Sequence, residues 1–356
     1  MGDFCQLLMY KIRIKSKIKD YEVLFSRNLI KNIKNINNPY YIIDKKIFKL
    51  YKLSNIIKKN YLLINANEKS KEYNHISIII NQLIKNKISK SNNLIAIGGG
   101  VTQDIVSFIS MILFRGINWY YFPTTLLSMG DSCIGSKLSV NYINFKNQIG
   151  GYYPPTKIFI NTDFLNTLPK KEIYSGLGEL AHYYFLSNSK NLNFFQKSMS
   201  TKKKIKSVNF NALILKTLKI KKKFIEIDEF DNNKRILLNY GHTFGHAIET
   251  YTNYNISHGI AVTIGMNIAN YFSFKLNYLS KKNFIKFKKI LQLINNDMNI
   301  KNLDLKVFKD ILMKDKKVIN NYSRFILSKG IGKMFVKKMK LDSKFIKILK
   351  EYNNEN

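Results

Sequence analysis

Hydrophobic positions follow two regimes along the chain. In roughly the first half, short continuous apolar runs alternate with stretches whose apolar residues recur every three or four positions. Tyr40–Ile43, Tyr61–Ile64 and Leu94–Ile97 are runs of the first kind, and read as strands buried on both faces. Tyr120–Phe122, closed by Pro123, is a fourth strand candidate. Between them, Ile47–Ile57 and Ile76–Ile88 carry apolar residues at helical spacing. Strands alternating with helices predict βαβ units and a parallel sheet.

From about Lys170 the period changes. Helical spacing runs through Tyr174–Leu186, Val208–Ile227, His242–Tyr251, Ile260–Leu276 and Phe284–Ile294, so this half reads as mainly α. The change falls near Thr167-Leu168-Pro169. The expectation is therefore an α/β domain over residues 1–168 and a helical domain over residues 169–356. The polar tail Glu351–Asn356 is expected to fray.

A chain of 356 residues with 45% hydrophobic composition can bury a core without staples. Two cysteines rule out a disulfide framework and fit a reducing compartment. No apolar run reaches the roughly 18 residues a spanning helix needs, and no secretory pattern is present, so the expected location is cytoplasmic. The net charge of +36 raises nucleic acid or an anionic membrane as a partner. Yet only Arg13, Arg27, Arg115, Arg235 and Arg324 are arginines among 59 basic residues. The remainder are lysines spread along a chain rich in Asn and Ile, the mark of AT-rich codons. A nucleic-acid surface clusters its cations and uses Arg for paired contacts. Neither nucleic acid nor membrane is expected as a partner.

Gly98-Gly99-Gly100-Val101 follows a predicted strand and opens a predicted helix, where a backbone can approach a phosphate group. It is not the G-x-G-x-x-G fingerprint, so alone it is a weak dinucleotide signal, and the plain alternative is a tight strand-to-helix turn. Asp104, one turn on, reads either as a ligand contact or as a charge placed near the helix dipole. Of five histidines, His242, His246 and His258 lie within 17 positions. His242 and His246 are four apart and share a helix face. With Glu179 as a candidate carboxylate, they point to a zinc-like divalent ion. Arg235 and Asn239, a guanidinium and an amide four residues apart, suit a carboxylate or a phosphate.

Read in order, the motifs are Gly98–Asp104, Arg115-Gly116-Ile117, Pro123–Leu127, Asp131-Ser132, Lys146-Asn147 with Ile149-Gly150, and Thr167-Leu168-Pro169. Then come Gly178-Glu179, Asp228-Glu229, Arg235–His246, His258-Gly259 with Gly265-Met266, and Lys314–Lys317. As a set they resemble the 3-dehydroquinate synthases of the sugar phosphate cyclase superfamily, from about Tyr40 to Gly332. The resemblance implies an N-terminal Rossmann-like α/β domain that binds NAD. It also implies a mainly α-helical C-terminal domain for metal and substrate, an active site between the two, and a homodimer. The implied reaction converts 3-deoxy-D-arabino-heptulosonate 7-phosphate to 3-dehydroquinate and phosphate, in the shikimate pathway to chorismate and the aromatic amino acids. It proceeds by transient oxidation with NAD, elimination of phosphate, return of the hydride, and an aldol ring closure.

Carried over residue by residue, Glu179, His242 and His258 resemble the ligands of one divalent metal, zinc or cobalt. His246 resembles the acid–base histidine near the phosphate. Asp131, Lys137, Asn147 and Lys221 resemble substrate contacts, as do Arg235, Asn239 and Lys316. Arg115 resembles a phosphate contact made across a dimer interface, and Asp231 stands at an acidic catalytic position. For NAD the matching residues are Asp44, Glu68, Lys71, Gly99, Gly100 and Val101, followed by Asp104, Thr124, Thr125, Lys146 and Thr167.

The chain departs from the family pattern at several points. His182 stands where the family has Lys, Asp231 where it has Glu, and Ile260 where it has Glu. Gln103 replaces a glycine, and Ser136, Leu138 and Ser139 replace Gly, Thr and Gly. The alternative function is a sister cyclase acting on a sugar phosphate without a carboxylate, such as sedoheptulose 7-phosphate. Lys221, Arg235 and Asn239 favour the acid substrate, while His182 keeps the alternative open. An NAD-dependent polyol dehydrogenase would not need this phosphate-and-carboxylate set.

Overall fold

The continuous apolar runs become the centre of a seven-stranded sheet. In the computed structural model the described residues are 10–143, 145–200, 207–300, 303–314 and 321–355. The chain divides into two units: Met1–Leu168 with Ile214–Phe230, and Pro169–Leu213 with Asp231–Asn356. The segment Ile214–Phe230 thus groups with the first unit, whereas a single cut at residue 168 would have left it in the second.

The strands of the first unit are β1 (Lys11–Ile14), β2 (Tyr21–Phe25), β3 (Pro39–Asp44), β4 (Tyr61–Ile64), β5 (Asn93–Gly98) and β6 (Trp119–Pro123). They continue with β7 (Lys137–Tyr142), β8 (Phe145–Tyr152) and β9 (Lys157–Ile160). Its helices are α1 (Leu29–Lys34), α2 (Lys45–Leu50), α3 (Tyr73–Lys85) and α4 (Gly100–Ile112). The sheet order is β1-β2-β9-β6-β5-β3-β4, parallel except for β1 against β2. Strand order reverses between β3 and β5: from β3 the chain goes first to β4 on one side, then to β5 on the other. β5 is buried throughout from Leu94 to Ile97, because parallel strands covered by helices have no polar face. β7 and β8 form a separate antiparallel hairpin.

The helical period over Ile47–Ile57 is only partly a helix. α2 stops at Leu50, Lys52 adopts φ +47°, and Leu53–Asn55 turns as a short 3₁₀ segment. Leu53 and Ile57 are still buried, so the apolar spacing was real although the backbone turned.

The second unit is mainly helical: α5 (Lys170–Leu186), α6 (Ser189–Ser200), the first residues of α7 (Phe210–Ile227), α8 (His242–Tyr251), α9 (His258–Lys275), α10 (Lys281–Leu291), α11 (Leu305–Met313) and α12 (Ser343–Glu355). It adds one antiparallel hairpin, β10 (Tyr322–Ser328) and β11 (Met334–Lys340). α9 is the central helix, packed by α5, α8, α10, α12 and β10. Two of its interior amides are paired at one end: Asn270 Oδ1 accepts from the Tyr240 hydroxyl at 2.6 Å, and Asn267 Nδ2 donates to the Tyr352 hydroxyl at 3.1 Å. The tail does not fray as expected. Residues 351–355 complete α12, Tyr352 is fully buried, and Lys275 reaches Glu351 at 2.7 Å. Among the described residues no helix is long and apolar enough to cross a membrane.

Candidate active site

Two groups of candidate residues form, one within each unit. In the first, the carboxyl ends of β4, β3, β5 and β6 lie side by side, and each carries candidates. Asp44 ends β3 and caps α2, accepting from Lys46 N at 2.9 Å. Burial pushes its carboxyl up despite the backbone hydrogen bond and Lys46. Gly98 ends β5, Gly99 caps α4, and Gly100 and Val101 open it. No side chain caps α4, so its first N–H groups face outward at its positive end. A Cβ on Gly100 would meet open space, while one on Gly99 would come to 3.0 Å from the Thr125 methyl. Thr124 and Thr125 follow β6, and Thr124 N donates to Gly98 O at 3.0 Å. The reversal of strand order between β3 and β5 is where open α/β sheets bind nucleotides. An uncapped helix end and a glycine fronting open space fit a dinucleotide pyrophosphate there.

Asp104 has an ionic partner that its sequence position did not show. Lys71, 6% exposed, reaches its carboxylate at 2.7 Å. Burial pushes the Asp104 carboxyl up, and Lys71 opposes that shift. Lys71 Nζ also donates to Asn147 Oδ1 at 2.9 Å, and Ser139 donates to the same oxygen at 2.9 Å. Asn147 holds φ +55° and donates its backbone N–H to Asn141 Oδ1 at 3.0 Å. Asn141 in turn donates to Glu68 Oε1 at 2.9 Å. One polar network thus joins Glu68, Lys71, Asp104 and Asn147, linking cofactor candidates to a substrate candidate. Lys137 starts β7, and Lys146 on β8 is exposed. Thr167 is engaged by the Tyr51 hydroxyl at 2.8 Å.

Lys221, on α7, donates to Asp131 twice: to its backbone carbonyl at 2.7 Å and to Oδ1 at 2.8 Å. These two substrate candidates therefore meet as an ion pair. Gln103, the glycine replacement, makes paired bonds with Ser132, Nε2 donating to its carbonyl at 2.8 Å and Oε1 accepting from its hydroxyl at 2.7 Å. It therefore pins the turn that carries Asp131. Arg115 is exposed, with φ +57° between Phe114 at +52° and Gly116 at +109°.

In the second unit, glycines set the metal candidates. A Cβ on Gly178 would strike the Gly259 carbonyl, and one on Gly259 would strike the Ser175 carbonyl, so α5 and α9 touch backbone to backbone. Gly241 caps α8 with φ +86°, and a Cβ on Gly265 would strike its carbonyl, so α8 meets α9 equally closely. Glu179, His258 and His242 are the residues next to these contacts. His242 Nε2 lies 3.6 Å from Glu179 Oε2, and His258 Nε2 lies 3.1 Å from Glu179 Oε1. The three ligand atoms lie within 4.8 Å of one another.

Glu179 is 2% exposed, and among the described residues its Oε1 has no partner in good hydrogen-bond geometry. Burial pushes its carboxyl up. His242, His258 and His182 around it outweigh that and hold it well below the usual carboxylate range. His258 behaves in the mirror sense: burial opposes its charge, but Glu179 and Glu249 raise it to about 10. One buried carboxylate and two imidazoles around a common point are a donor set that fits zinc. His182, buried on α5, places Nδ1 3.5 Å from Glu179 Oε2.

His246 is exposed, one turn beyond His242, with ring centroids 5.6 Å apart. Arg235 is buried, but Lys234–Asn239 is a 3₁₀ turn. With three residues per turn, Asn239 falls about a third of a turn away from Arg235 instead of stacking above it. Asp231 stands before this turn at φ +60°, and Lys316 lies outside the described residues. Sequence reasoning missed Glu249, whose Oε2 lies 2.9 Å from His258 Nδ1. Its signal was available: Glu249 lies seven residues, two helical turns, after His242.

Among solved structures, 2-deoxy-scyllo-inosose synthase with carbaglucose-6-phosphate, NAD+ and Co2+ superposes with a TM-score of 0.86 and 22% identity, covering 98% of this chain and 100% of that one. A 2-epi-5-epi-valiolone synthase from Streptomyces hygroscopicus subsp. jinggangensis, with NAD+ and Zn2+ bound, superposes at 0.82 with 19% identity, covering 98% of this chain and 100% of its own. The fold is thus that of the sugar phosphate cyclases. Residues 61–175 match the family model "3-dehydroquinate synthase N-terminal", and residues 176–318 match "3-dehydroquinate synthase C-terminal". The 3-dehydroquinate synthase of Buchnera aphidicola subsp. Cinara cedri is 37% identical over 88% of each chain. That of Campylobacter curvus is 33% identical over 96% of this chain and 99% of its own. The chain belongs to the 3-dehydroquinate synthase family.

Proposed function

We propose that this chain converts 3-deoxy-D-arabino-heptulosonate 7-phosphate to 3-dehydroquinate and phosphate, as an NAD- and divalent-metal-dependent lyase of aromatic amino acid biosynthesis. The observation that carries the reading is the convergence of Glu179, His242 and His258 in a chain that matches both family models in order. When bound, NAD supplies a reversible hydride acceptor, and the divalent ion a Lewis acid for the hydroxyl being oxidised.

The chain's own residues bind and orient. Asp44, Gly99, Gly100, Val101, Thr124 and Thr125 hold the dinucleotide at the strand ends. Lys71 keeps Asp104 and Asn147 in fixed relation, so the cofactor side and the β7–β8 hairpin move as one body. Glu179 Oε1, His242 Nε2 and His258 Nε2 hold the ion. His246 carries a proton to or from the substrate phosphate, Lys137 and Arg115 balance that phosphate's charge, and Asn147 offers the substrate its amide N–H. Arg235 forks to the substrate carboxylate, and Asn239 contacts the substrate from a different side of the same turn. Lys221 brings less free charge than its sequence position promised, because Asp131 is already paired with it.

The working form is a homodimer in the cytoplasm, in which Arg115 serves the neighbouring copy. Exposed Phe114 and Arg115, and a buried free thiol at Cys133, support this. The test is phosphate release from the heptulosonate phosphate with NAD in catalytic amount and zinc. The reading requires many turnovers per NAD with no NADH accumulating. Stoichiometric NADH production would instead support a dehydrogenase.

A further inference from the structure

We infer that Glu249 is a positioning residue for the metal site, holding the proton of His258 on Nδ1 so that Nε2 is free to bind a cation. The inference rests on the metal reading above and adds a residue to it. His258 stands between two carboxylates: Glu249 Oε2 is 2.9 Å from Nδ1, and Glu179 Oε1 is 3.1 Å from Nε2. A neutral imidazole has one N–H and one lone pair, and a carboxylate can only accept. In the neutral form that binds a metal, the Glu249 side takes the N–H, and the Nε2 lone pair is the one left for the cation. Metal-ligating histidines are commonly fixed in this way by a carboxylate on the far nitrogen, which also raises their basicity as ligands.

The fold gives Glu249 the right place. It lies on α8 seven residues after His242, so one helix supplies both a ligand and the carboxylate that orients another ligand. His258 has a side chain 35% exposed at the first position of α9, with the rings of His242 and His246 each centred 5.6 Å from its own. A competing arrangement is also present. His246, Glu249 and His258 form a second group whose ligand atoms lie within 4.8 Å of one another. If the cation bound there, Glu249 would be a ligand itself.

The experiment titrates the metal-free full chain with cobalt(II), and competes zinc against a chelator, in wild type, Glu249→Gln, Glu249→Ala and Glu179→Ala. The expected result is a 10–100-fold loss of zinc affinity and an altered cobalt absorption spectrum in Glu249→Ala. Glu249→Gln, whose amide oxygen can accept the same N–H, stays within a few-fold of wild type. Glu179→Ala loses the cobalt spectrum. Circular dichroism and melting of the metal-free forms check folding, and Glu249→Leu, which fills the space, replaces the alanine variant if that one does not fold. Wild-type affinity and spectrum in Glu249→Ala overturn the inference, as does an equal loss in the Gln and Ala variants. Cobalt retained by Glu179→Ala but abolished in Glu249→Ala assigns the cation to the second group and overturns it too. Cobalt binding indifferent to both Glu179→Ala and Glu249→Ala is a separate result, under which the metal reading itself fails.

Discussion

Gly178 and Gly259 meet so closely that neither has room for a methyl group, and each is the chain neighbour of a metal candidate, Glu179 or His258. Gly259 N also donates to Ser175 Oγ at 3.1 Å, locking the crossing. Gly178→Ala must therefore push α5 and α9 apart. The expected cost is about 1–3 kcal/mol by denaturant unfolding, as for overpacking elsewhere. Zinc affinity should fall at least tenfold, read by chelator competition. Unchanged affinity would show that the crossing does not set the cluster.

The network around Lys71 predicts coupling. Lys71→Met leaves Asp104 without its cation in a partly buried setting, and should destabilise the fold by about 2–3 kcal/mol. NAD affinity, measured by calorimetry, should drop at least tenfold. Adding Asp104→Asn should recover much of the stability but not the NAD affinity. Additive losses in the double variant would mean the two residues act independently.

Ser136 sits at φ +59°, in the left-handed region where side chains are strained and glycine is favoured. Among the described residues its buried hydroxyl has no partner. Ser136→Gly should stabilise the chain by about 0.5–1 kcal/mol, the strain relieved being partly offset by the flexibility of glycine. A lower urea midpoint in the variant would contradict this.

Burial pushes the Cys133 thiol up to about 12, so it remains protonated at ordinary pH. Thiolate is the reactive form. In a Cys5→Ser background the native protein should therefore give almost no reaction with a disulfide reagent at pH 8, and one thiol after unfolding. Rapid reaction of the native form would contradict the burial.

The parts of the fold that were legible are those where one local pattern decides the outcome. β3, β4, β5 and β6 are continuous apolar runs, and α8 and α9 carry long helical periods, so each was found close to its observed bounds. β1 and β2 were not found, because four or five residues with alternating burial at a sheet edge look like many loops. The turn at Lys52 inside an apolar period, and the 3₁₀ geometry of Lys234–Asn239, were invisible because spacing does not show backbone handedness or pitch. At the candidate site, scarcity exposed the histidines. The pairing of Lys221 with Asp131, ninety residues apart, needs the fold and leaves no local trace. Glu249 was within reach, since its helical spacing from His242 is visible, but a glutamate in a helix is ordinary without a neighbour to face.

The central claim is that the chain acts on a sugar acid phosphate. Arg235 is buried, and the proposed fork from its guanidinium to the substrate carboxylate is an interaction that a substrate without the carboxylate cannot make. His182, at a position where the resemblance implies Lys, lies 3.5 Å from Glu179 and is the residue proposed to change that preference. The decisive measurement compares kcat/KM for 3-deoxy-D-arabino-heptulosonate 7-phosphate and sedoheptulose 7-phosphate, with catalytic NAD and zinc, in wild type and His182→Lys. The account predicts that wild type prefers the acid by about 100-fold or more, a difference of about 2.7 kcal/mol in transition-state binding. Wild type turning over sedoheptulose 7-phosphate alone, with only His182→Lys accepting the acid, would contradict it.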